Sequence, residues 1–183
     1  MSFVVDTTSS GKASTPAPEG AHLSRLISII DLGLQEDSWQ GQVNVRRKVR
    51  LTFELVNEPM EDGRPFVVSK EFTLNFGDKS KLKPVLEAVN GSKLGKNFDL
   101  GSLLGSPCLV QVQQDTSTTS GNKYAKLVNV SGAPKGMPVA PCQNPTVLFN
   151  TDAWDQAIYD TLPKFVQEKI QARKPKPDSS IPF

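Results

Sequence analysis

The sequence predicts a mainly β fold: a five-stranded, partly open barrel with one helix between the third and fourth strands, followed by a C-terminal helical segment. Three observations predict it. Apolar and polar residues alternate from Val43 to Leu55, which marks a long half-buried strand. Asp62-Gly63 and the polar run 115–122 each separate two β-rich segments as hairpin turns do. Between these hairpins, from Asp78 to Gly91, apolar residues recur at helical spacing.

Residues 7–20 are almost all small, polar or Pro, and bury too little apolar surface to offset the entropy of ordering them. The first 20 residues are therefore expected to be a flexible arm. Residues 23–32, rich in Ile and Leu and followed by Gly33, read as the first strand. In the second strand, Val43, Val45, Val49, Leu51, Phe53 and Leu55 take the odd positions, and only Arg47 breaks the alternation. The segment 58–65 turns the chain into a third strand over 66–76, with Phe72, Leu74 and Phe76 in phase with the core.

A helix follows, capped near Ser80, with Pro84 in its first turn and a stop at Asn90-Gly91. Residues 108–114 and 123–130 then form strands four and five around the tip 115–122. Beyond the Pro-rich run 133–145, Asp152 is the candidate cap of a helix carrying Trp154, Ala157 and Ile158. Pro163 opens a second helix with Phe165, Val166 and Ile170. This element order is that of the OB-fold. It gives four parts: an arm over 1–20, an OB-fold domain over 21–132, a Pro-rich connector and helical segment over 133–173, and a disordered tail over 174–183.

Of the 183 residues 37% are hydrophobic and 22% charged, which excludes a wholly disordered or fibrous chain. Cys108 and Cys142 lie in no metal-binding spacing and read as isolated thiols. No signal peptide and no run of about 18 apolar residues is seen, so the expected location is the cytoplasm, with no membrane partner. The single histidine, His22, has no Ser or Cys arrangement around it, and no Walker or GxGxxG sequence occurs. Neither enzymatic activity nor a cofactor or metal is expected.

The net charge of +2 is too small to announce a polyanion partner, so the distribution of charge matters more. Arg46, Lys48 and Arg50 share the solvent side of the second strand, and no acidic residue occurs from Gly41 to Phe53. Cations at that spacing suit successive phosphates on the face where OB-folds bind nucleic acid. Lysines 79, 81, 83, 93 and 96 flank the helix and read as solvated surface. Aromatic faces for base stacking are offered by Trp39 in the polar loop before the basic strand, by Phe66, and by Tyr124 beside Lys123 and Lys126.

The ending Asp178, Ser179, Ser180, Ile181, Pro182, Phe183 resembles the C-terminal tip of bacterial single-stranded DNA-binding proteins. The segments LISIIDLGLQ (26–35), KVRLTFEL (48–55), SKEFTLNF (69–76), LGSPCLVQV (104–112), YAKLVNVSGAPKGM (124–137) and NPTVLFN (144–150) resemble a phage-encoded family of OB-fold single-stranded DNA-binding proteins. That resemblance implies binding of single-stranded DNA in phage replication or recombination inside a bacterial host. Asp178, Ile181, Pro182 and Phe183 would dock replication or recombination proteins, and homo-oligomers are compatible with it. The site residues expected for DNA are Trp39, Arg46, Lys48, Arg50, Tyr124 and Lys126. An RNA-binding OB module, a strand-annealing protein and a non-enzymatic scaffold are the alternatives.

Overall fold

The alternating segment forms a strand, and a longer one than its pattern required. In a computed structural model, which describes residues 15–176, β1 runs over Gly20–Trp39 and β2 over Gln42–Pro59. The two pair antiparallel from Ser24–Leu55 out to Trp39–Gln42. Gln40 and Gly41 both take positive φ, 50° and 77°, so the hairpin closes in two residues. Trp39 thus ends a strand at a tight turn rather than sitting in a loop. The outer half of this hairpin extends past the core as an arm, which is why Val43 and Val45 are exposed although they are in phase with the buried Val49, Leu51 and Phe53.

β3 (Pro65–Thr73) pairs with β2, β4 (Pro107–Thr116) with the start of β1, and β5 (Lys123–Gly132) with β4. The strand order is β3-β2-β1-β4-β5. At the two ends of this order, Lys70 Nζ on β3 donates to the Leu127 carbonyl on β5 at 3.3 Å. No backbone ladder joins those strands among the described residues, so the sheet is open rather than a closed barrel. A sixth strand, β6 (Val147–Phe149), pairs parallel with Ser28–Ile30 of β1. Three residues with a partner more than a hundred positions away leave no periodicity to read, and the sequence did not predict this strand.

α1 (Leu82–Asn90) packs against β5 and β4 and buries Leu82, Leu86 and Val89 in the same core as Val110, Leu127 and Val130. Ser80 Oγ accepts from the Lys83 amide at 3.0 Å, the cap that the sequence indicates. Each fully buried Leu or Phe of this core contributes about 1.5–3 kcal/mol. Phe53 and Phe72 belong to it, as does Phe66, which is therefore unavailable for stacking; Phe76 is exposed beyond the end of β3. Residues 15–19 lie against the sheet: Ala17 is buried, and Gln114 Nε2 donates to its carbonyl at 3.0 Å.

A second core lies on the outer face of β1. There Ile30 and Leu32 meet Phe149, Tyr159, Leu162, Val166 and Ile170, the last four from α2 (Gln156–Thr161), the turn after it and α3 (Lys164–Gln171). The cap of α2 is Asp155, which accepts from the Ala157 and Ile158 amides, and not Asp152. Asp152 faces Arg47 and Lys176 instead, and Trp154 precedes the helix.

The Pro-rich connector is strapped down from both sides. Glu54, fully buried on β2, accepts from the backbone amides of Gln143 and Asn144 at 2.7 and 2.9 Å. Arg25 donates to the carbonyls of Val139 and Ala140, both at 2.7 Å. A buried carboxylate needs such donors, and here they come from a segment with few partners of its own. No helix among the described residues is long and apolar enough to cross a membrane.

Candidate functional site

Opposed residues of an antiparallel pair point to the same side of the sheet. The pairs Trp39–Gln42, Asp37–Asn44, Gln35–Arg46 and Gly33–Lys48 therefore place Trp39, Asn44, Arg46 and Lys48 on one face of the arm. Trp39, at the tip, is 73% exposed, with no core to fill. A side chain of that size in water is available for stacking on a planar partner.

This face leads into a groove of about 360 Å³ along the free edge of β3, lined by Arg46, Lys48, Lys70, Thr73, Asn75, Lys79 and Lys81. The groove adjoins a second, of about 310 Å³, which shares Lys70, Phe72 and Lys81 and reaches Leu127 and Asn129 of β5. Glu71 is the one acid in the lining, and its carboxylate already accepts from Lys169 at 2.6 and 2.7 Å and pairs with Arg50 at 3.5 Å. Arg46, Lys79 and Lys81 have no carboxylate partner among the described residues.

The other expected site residues divide. Lys48 lies in the groove, but its Nζ is held by Asp37 at 2.5 Å and donates to Thr73 at 3.1 Å. Arg50 lies beneath α3, with the Phe165 ring centroid 5.0 Å from its guanidinium carbon. Burial pulls its pKa below the ordinary arginine value, against the opposing pull of Glu71. Tyr124 and Lys126 are exposed on β5, opposite Asp115 and Gln113, and line neither groove. The acid-free run from Gly41 to Phe53 thus receives its acids from β1, from β3 and from Asp152 after β6. Asp178, Ile181, Pro182 and Phe183 lie outside the described residues.

Sequence reasoning missed Lys70 and set Lys79 and Lys81 aside as solvated helix surface. Lys70 had a signal: it occupies a core-phase position between Val68 and Phe72, where a charge on an edge strand must lead outward or across a seam. The two lysines had none, because only the turn after β3 brings them back beside β2.

Behind the arm, Asp31 is buried, and Arg47 grips it with two bonds, at 2.6 and 3.0 Å. Burial alone would raise its pKa. Arg47, the Thr151 hydroxyl and the Gly33 and Thr151 amides outweigh that and hold the carboxyl down to about 2. Burial pushes the Cys108 thiol up to about 12, where it is unreactive at neutral pH. Among the described residues no group of three or more His, Cys, Asp or Glu side chains could hold a metal ion. The chain matches no family model, and no curated protein is significantly similar to it.

Proposed function

We propose that this protein binds single-stranded DNA along the outer face of the β1–β2 arm and the groove beside β3. The observation that carries the reading is the joining, on one face, of an exposed indole at the arm tip to cations that lead into a basic groove. Stacking on Trp39 accepts every base, and Arg46, Lys70, Lys79 and Lys81 supply the charge for a backbone without reading base edges. The strand order, with a helix between the third and fourth strands, supports an OB-fold as the scaffold.

The reading keeps the role implied by the resemblance: phage DNA replication or recombination in the cytoplasm of a bacterial host. The tip Asp178, Ile181, Pro182 and Phe183 then docks partner proteins. An aromatic side chain beside a proline is a compact apolar anchor for such docking. Phe183→Ala is expected to abolish pull-down of a replication partner while leaving DNA binding intact. Pull-down that survives the substitution counts against this role for the tip.

A salt titration with poly-dT and the matching duplex tests the main reading. Binding of poly-dT should fall steeply with salt and should exceed duplex binding at every concentration. Equal affinity for DNA and RNA strands of matched sequence would favour an RNA-binding module. The ion pairs at Lys48 and Arg50 favour another alternative, a scaffold whose basic face is internally neutralised, and absence of any oligonucleotide binding would select it.

Trp39 gives a sharper readout. In a Trp154→Phe background, oligo-dT should quench the remaining tryptophan, and Trp39→Ala should weaken binding by about 1–3 kcal/mol. A Trp39→Ala variant that binds as tightly as its parent would remove stacking from the mechanism.

A further inference from the structure

Arg46 and Arg47 are consecutive on β2 and so point to opposite faces of the arm, and the face that Arg47 enters is also basic. It opens on a cleft of about 900 Å³ lined by Gly33, Leu34, Arg47, Asp152, Arg173 and Lys176. We propose that this cleft is a second phosphodiester site, so that one DNA strand is held on both sides of the arm. The proposal rests on the single-strand reading above.

The cleft is assembled from distant segments that are tied in place. The Lys174 amide donates to the Leu34 carbonyl at 2.8 Å, which brings the chain after α3 alongside β1. Arg173 packs across Gly33, whose φ is +70°, and a Cβ there would meet Arg173 Cδ at 2.6 Å, so only glycine seats this arginine. The Arg173 guanidinium lies 5.3 Å from the Trp154 ring centroid and donates to the Ile170 carbonyl at 2.7 Å. It has no carboxylate partner among the described residues, which leaves donors of its planar fork for a phosphate.

Asp152 is the acid of the cleft wall. It pairs with Arg47 at 3.2 Å and with Lys176, and it occupies the position a bound phosphate would contest. Arg47 keeps Asp31 as a partner if Asp152 is displaced. Phosphodiester is the class that fits, because the cleft begins at the residue next to Arg46, on the strand whose other face leads into the first groove.

The test uses the full-length chain and labelled oligo-dT of about 8 and about 30 nucleotides, lengths that fill one groove or run past it. Changing Arg173 and Lys176 together to Ala should make the salt slope for the long strand shallower by about 0.7, the contact of the unpaired Arg173, with little added by Lys176, which Asp152 already holds, and leave the short strand unchanged. Asp152→Asn should tighten the long strand several-fold and not the short one. This gain also guards against a variant that merely misfolds. Long-strand binding untouched by both changes would overturn the cleft while leaving the single-strand reading in place. Wild-type protein that binds neither length would fail that reading itself.

Discussion

Replacing Arg46, Lys79 and Lys81 together by Ala is expected to weaken poly-dT binding by roughly a hundredfold at about 0.1 M salt. Each phosphate contact on a single strand contributes about 0.7 to the slope of log K against log salt, so three lost contacts flatten it by about 2. Over the decade of salt from about 1 M to 0.1 M that is about two orders of magnitude in affinity. These three cations are the informative choice because no carboxylate holds them among the described residues, whereas Lys48 and Arg50 each have one. The matching change of Arg50 to Ala should therefore alter the slope far less. Fluorescence anisotropy at several salt concentrations, with thermal melts to confirm folding, reads both. A slope unchanged in the triple variant would move the DNA path off the β3 groove.

Asp31→Ala is expected to cost about 3 kcal/mol of folding stability in urea denaturation. The carboxylate accepts from Arg47, from the Thr151 hydroxyl and amide and from the Gly33 amide, and its removal leaves Arg47 without its bidentate partner. Removing Arg47 as well should restore part of the loss, since without Asp31 its partly buried guanidinium keeps only the exposed Asp152 as a partner.

The same carboxyl makes an acid prediction. Its pKa is depressed from 3.8 to about 2, so its stabilisation is complete above about pH 4 and is lost as pH falls toward 2. A depression of that size corresponds to about 2 kcal/mol. Asp31→Asn should flatten the stability profile between pH 4 and 2 and leave the shape above pH 5 unchanged. A profile as steep as the wild type's would place the acid sensitivity in other carboxylates.

The sequence by itself determined the first five strands, the hairpins at 58–65 and 115–122 and α1, because each depends on local rules: a period of two, turn-forming residues, a capping hydroxyl three positions before its amide. It also set Arg46, Lys48 and Arg50 in phase with one another, whereas Trp39 joined their face only through the register that the Gln40-Gly41 turn fixes. Tertiary structure decided what those side chains meet. Lys169 reaches Glu71 across 98 positions, Thr151 reaches Asp31 across 120, and Gln143 reaches Glu54 across 89. Such pairings follow from how the sheet curls and where α3 lies, and no window of sequence contains both partners. The outward row Arg46, Lys48, Arg50 was therefore legible as a row. Only the packing of α3 over its far end, and the return of Lys79 and Lys81 beside its near end, decided which of its charges remain free to meet a phosphate.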